Sequence, residues 1–148
     1  VWVIVAAALL ATLTACSGSV APKAESNSPS ADVDLTGQWR LASAHMQGRD
    51  FKTTSRADLG LVVSDAGNQA HAGCMVAALA PKVSGDSVRL AITSQGNMMS
   101  CPPTTKQGNW DQPYLDAVAA VVRGERSGAT LTLTGPNVRL TYIEVKGE

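Results

Sequence analysis

From Gly37 onward the chain returns repeatedly to one pattern, an apolar residue followed by a polar one and then another apolar one. A period of two marks a strand with one buried face, because successive side chains on an extended backbone point to opposite sides. Trp39, Leu41 and Ser43 alternate with Gln38, Arg40 and Ala42, and Ala57, Leu59, Leu61 and Val63 alternate with Asp58, Gly60, Val62 and Ser64. Asp65-Ala66-Gly67-Asn68 then supplies turn residues, and the chain is expected to return through Gln69 to Leu79. Gly85-Asp86 suits a tight hairpin leading into Val88, Leu90 and Ile92. Leu131 and Leu133 are interleaved with Thr130, Thr132 and Thr134, and Gly135-Pro136-Asn137 turns the chain into Val138, Leu140 and Tyr142. Short turns between such runs require antiparallel neighbours.

One segment breaks the period. Tyr114, Leu115, Val118, Val121 and Val122 share a single helical face. Pro113 is expected in the first turn of that helix, where a missing N–H is tolerated, with Asp111 capping or complementing its positive end. For the exit, two readings stand: Gly124 as a left-handed stop, or Val121-Val122 already opening a strand that runs to Arg126. The expected fold class is α+β: a small antiparallel β-barrel-like sheet with one packed helix.

The 148 residues are enough for one ordinary domain, and with 12 basic and 12 acidic side chains the formal charge is zero. That balance excludes the basic excess of a nucleic-acid binder, so no nucleic-acid partner is expected. Aromatic residues make up only 4% of the chain, so the core must rest on aliphatic side chains.

The N-terminal region reads as an address. Val1 to Leu13 contains a single polar residue, Thr12. A membrane-spanning helix needs about 20 apolar residues, so this run suits the apolar segment of an export signal instead. The tetrapeptide Leu13-Thr14-Ala15-Cys16 that closes it resembles the bacterial lipobox. That resemblance implies cleavage between Ala15 and Cys16 and lipidation of the Cys16 thiol. The alternative is plain secretion, with ordinary cleavage after Ala15. Two or three acyl chains, at about 0.8 kcal/mol per buried methylene, hold a protein stably on a bilayer. The membrane is thus an expected partner, and the expected location is the extracytoplasmic face of the cell membrane. Ser17 to Ala31 holds five Ser and two Pro and shows no period, as a spacer would. The organisation is therefore residues 1–15 as signal peptide, 16–33 as lipidated Cys and linker, and 34–148 as the folded domain.

Cys16 being assigned, Cys74 and Cys101 form an even pair in an exported chain and are expected to join as a disulfide. A loop of that size is worth roughly 3–4 kcal/mol on a chain-entropy estimate. The competing reading gathers His71, Cys74 and Met75 with Met98, Met99 and Cys101 around Cu(I). On strands, however, His71 and Cys74 are an odd number of residues apart and diverge, as do Met98 and Cys101. No metal site and no cofactor are expected. His45 and His71 lie in no catalytic motif, and Gly85-Asp86-Ser87-Val88-Arg89 fails the G-x-S-x-G pattern at its last position. No HExxH, CxxC or phosphate-binding glycine loop occurs. No catalytic residue is assigned, and the chain is not expected to be an enzyme. Trp39 is read as core and Trp110 as packing or ligand platform.

The folded segment resembles the META domain of bacterial envelope lipoproteins and heat-shock-type proteins. Leu35-Thr36-Gly37-Gln38-Trp39-Arg40-Leu41 matches the family's opening L-x-G-x-W-x-L, and Gly73-Cys74 matches its Gly-Cys-Asn, with Met75 in place of Asn. Thr93 with Met98-Met99-Ser100-Cys101 resembles its Thr-x-Met-x-Cys block, with Ser94 to Asn97 as extra residues. Leu131 to Thr134 and Val138 to Tyr142 match its closing hairpin. The resemblance implies a β-rich domain with a packed helix, no catalytic machinery, and a link to envelope stress or antibiotic tolerance. Gly37-Gln38-Trp39 also resembles the lipocalin G-x-W, which implies a small-ligand-binding barrel. A periplasmic protease inhibitor is the third reading. The partner, whether protein or small ligand, is left unidentified.

Overall fold

The structure, a computed structural model, describes residues 31–53, 59–97 and 108–146. These residues form β1 (Gly37–Met46), β2 (Arg49–Lys52), β3 (Leu59–Ser64), β4 (Gly67–Ala72), β5 (Met75–Ser84), β6 (Ser87–Asn97), α1 (Gly108–Ala119), β7 (Arg123–Ser127), β8 (Thr130–Gly135) and β9 (Val138–Glu144). Every pairing is antiparallel, and β1 meets both β3 and β9, so eight strands close into a barrel while β2 folds back as a hairpin on β1. This is the expected α+β barrel. Closure removes free sheet edges, which is how a small β-domain avoids pairing with its neighbours.

Strand β1 serves three partners, β3 along its first residues, β2 along its last and β9 along most of its length, and it carries a bulge. Leu41 stands opposite Tyr142 and Ser43 opposite Thr141, which leaves Ala42 as an extra residue. The extra residue shifts the inward phase: Trp39 and Leu41 are buried before it, Ala44 and Met46 after it. Ser43, expected on the inner face by simple alternation, is therefore not among the core side chains. Thr53 steadies the bulge, its N–H donating to the Ala42 carbonyl at 3.2 Å and its hydroxyl to the Leu41 carbonyl.

The continuous return from Gln69 to Leu79 is corrected to two strands, β4 and β5, with a turn at Gly73-Cys74. The helix starts earlier than expected, at Gly108, so Pro113 lies inside it and not in its first turn. It ends at Ala119, and Gly124 is a strand residue of β7 and not a helix stop; the strand of the second exit reading opens at Arg123, after Val121-Val122, and runs to Ser127. Tyr114, Leu115, Val118 and Val121 are buried as the helical face predicts, whereas Val122 is exposed. One core joins this face to Leu59, Leu61, Leu79, Val88, Leu90, Leu131, Leu133, Leu140 and Tyr142. Among the described residues no helix is long and apolar enough to cross a membrane.

Candidate functional site

Two polar constructions sit within the apolar barrel. The first joins the helix to the wall. The registered β1–β3 ladder ends at Arg40 opposite Gly60. The Gly60 carbonyl accepts from the Tyr114 hydroxyl at 3.0 Å. Because that hydroxyl's single proton is committed to Gly60, the Tyr142 hydroxyl, 3.1 Å away, must be the donor between the two rings. Both rings are fully buried. Burial raises the pKa of Tyr114 well above the usual tyrosine value, and burial raises that of Tyr142 too, helped by the neighbouring phenol. These are structural donors and stay protonated.

At the helix N-terminus, Asp111 is 2% exposed. Its Oδ2 accepts the Cys74 N–H at 3.0 Å, while its Oδ1 is buried with no hydrogen-bond partner. Burial raises its pKa, and the bond from Cys74 opposes that only in part. The carboxylate expected to cap the helix thus turns away from solvent and fastens the β4–β5 turn to α1. Beside it the Trp110 ring lies 4.8 Å from Phe51 of β2, so this tryptophan packs against the hairpin.

The second construction closes the end of the barrel where the chain enters. Trp39 is 2% exposed, and its Nε1–H donates to the Leu35 carbonyl at 2.8 Å. The Arg126 guanidinium lies 4.9 Å from the Trp39 ring centroid. It also donates to Asp34 Oδ2 at 2.8 Å, to the Thr36 carbonyl at 3.0 Å and to Glu144 Oε1 at 3.0 Å. The Thr36 N–H bonded to Asp34, with Arg126 nearby, holds the Asp34 carboxyl below its usual pKa. Further back, Val33 N–H donates to the Gly85 carbonyl at 2.9 Å and Gly85 N–H donates to Asp32 at 2.6 Å. Sequence reasoning missed Arg126: Asp34, Thr36 and Glu144, which it clasps, lie 18 to 92 residues away and leave no local signal.

Of the residues singled out for chemistry, Cys16 and Cys101 lie outside the described residues, as do Met98 and Met99. Cys74 is disulfide-bonded, and its partner is also outside them. His71 is half-buried on the outer face of β4. His45 sits on β1 with its Nδ1 2.8 Å from Asp50 of β2, at the exposed hairpin. The two histidines share no partner among the described residues.

No protein-family model matches this chain, and no curated protein does. Solved structures do match. An NMR structure of a protein from Burkholderia xenovorans is similar with a TM-score of 0.57 at 19% identity, over 75% of this chain and 83% of that one. A crystal structure of a DUF4847-family protein from Bacteroides vulgatus is similar with a TM-score of 0.50 at 8% identity, over 76% of this chain and 95% of that one. At these identities the likeness is one of fold.

Proposed function

We propose that this chain is a membrane-anchored cell-envelope lipoprotein whose META-like barrel acts by binding or structural support, in envelope stress or antibiotic tolerance, and not by catalysis. The observation that carries the reading is where the residues of the family resemblance fall. Trp39 of the opening motif is sealed under Arg126. The Gly73-Cys74 turn is fastened to the helix through Asp111. The closing hairpin, β8 with β9, is held by six registered pairs without a bulge. Each of these three motifs braces the barrel, and among the described residues none of the three gathers a nucleophile with a base. In this reading Cys16 bears the lipid, Cys74 pairs with Cys101, and no metal or cofactor is used.

Mass spectrometry of the protein extracted from membranes tests it. The expected result is a diacylated Cys16 at the new N-terminus, with Cys16→Ala shifting the protein to the soluble fraction. An unmodified Cys16 in the membrane fraction overturns the anchor. The second reading, a small-ligand-binding barrel, is favoured by the closure of eight strands behind Gly37-Gln38-Trp39. A bound small molecule retained inside the barrel in native mass spectrometry would establish it over the first.

A further inference from the structure

The outer face of the barrel carries a groove of about 410 Å³ over β1, β3 and β4, within the size range of small-molecule sites. Its centre is a row across three neighbouring strands. Arg40 pairs with Gly60, and Gly60 pairs with His71. Paired residues share a face, so the two side chains flank a position that has none. That gap is obligatory, because a Cβ on Gly60 would lie 2.2 Å from the Trp39 carbonyl oxygen. Strand spacing sets the Arg40 and His71 backbones about 10 Å apart, with bare main chain between them.

Among the described residues the groove is lined by the basic Arg40 and His71 and by no carboxylate. Among the described residues neither the Arg40 nor the His71 side chain has a hydrogen bond or ion pair, in contrast to those of Arg126 and His45, which are both engaged. Val62 and Val145 form apolar flanks, and Val145 is 43% exposed. We propose that this groove binds a small organic anion, a monocarboxylate with an apolar body. The Arg40 guanidinium takes the carboxylate in its fork, and the His71 ring donates a second hydrogen bond. The Gly60 backbone is the floor, and the two valines cover the body. The site lies outside the barrel interior and does not depend on a lipid at Cys16.

Benzoate, benzylamine and inorganic phosphate, titrated into the ¹⁵N-labelled full chain in non-ionic detergent with detergent alone as blank, test the assignment. Benzoate is expected to shift the amides of Gly60, Val62 and His71 saturably. Benzylamine, with the same body and opposite charge, is expected to leave them in place, and phosphate to bind more weakly than benzoate. Arg40→Gln is expected to weaken benzoate at least about fivefold and His71→Gln by less; the same spectra report that both variants are folded. The proposal is overturned by an absence of saturable shifts with benzoate, by equal binding of benzylamine or phosphate, or by an unchanged affinity in folded Arg40→Gln.

Discussion

On one side of the barrel β8, β9 and β1 are laced together, with six registered pairs between β8 and β9 and six more between β9 and β1. On the other side β6 and β7 share one registered pair, Ser87 with Arg123. That seam is closed by the chain leaving α1, which is stitched to both flanks. Val122 N–H donates to the Thr134 carbonyl at 2.8 Å, while the Val122 carbonyl accepts from Val88 N–H at 3.1 Å. The contrast teaches that a barrel can be closed by a long ladder or by a few main-chain bonds where a helix hands the chain on to a strand. The second solution places its stability in a few buried side chains and one close backbone approach.

That contrast breaks most visibly at Gly135, where a Cβ would lie 2.1 Å from the Ala120 carbonyl oxygen. Gly135→Ala must push the helix exit off β8, and a loss of about 3 kcal/mol or more is expected in denaturant unfolding. Amides of β7 should then exchange with solvent sooner, while those of β9 keep their order. Gly96→Ala, with open space around its Cβ, should stay within about 0.5 kcal/mol. Equal losses in the two variants would refute the seam as the special place.

The tyrosine pair sharpens the comparison. Tyr114→Phe strands both the Gly60 carbonyl and the Tyr142 hydroxyl in the core, and should cost about 2 kcal/mol. Tyr142→Phe removes only a donor to Tyr114 and should cost about 1 kcal/mol or less. A reversed order in thermal unfolding would contradict the direction of the hydrogen-bond chain.

The effect at Asp111 is best read as a slope. Its pKa is raised in the folded state, so above the unfolded value near 4 the native protein holds a proton that the unfolded chain has released. Stability from this group is therefore present at low pH and declines as pH rises from the unfolded pKa through the raised folded one. Asp111→Asn should gain stability relative to the unsubstituted protein across that window, by about 1 kcal/mol. A difference independent of pH between 4 and 8 would count against a buried, titrating carboxyl.

Much of this architecture is legible in the residue pattern alone. The alternation of Leu59 with Leu61, Leu131 with Leu133 and Leu140 with Tyr142 marks strands directly, and each of these residues is buried. The features that escape such a reading do so for particular causes. A bulge such as Ala42 carries no composition of its own and shows only in the phase of the residues after it, where Ala44 and Met46 replace Ser43. The β4–β5 turn lies in an Ala-rich stretch that reads equally well unbroken, and β2 is four mostly charged residues on an edge. Asp111 reads as a cap because local rules do not see that Cys74, 37 residues earlier, folds back to it. The candidate groove is the least visible, since it depends on three strands setting Arg40, Gly60 and His71 abreast.

The fastening of Asp32 and Val33 to Gly85, with Arg126 clasping Asp34 and Thr36 behind them, has a mechanical meaning. Traction applied at residue 31 is taken up first by the β5–β6 corner and next by the guanidinium, both ahead of β1. The load is dispersed into the rim before it can peel the leading strand out of its ladder, so the entrance of the chain works as a strain relief for the barrel behind it.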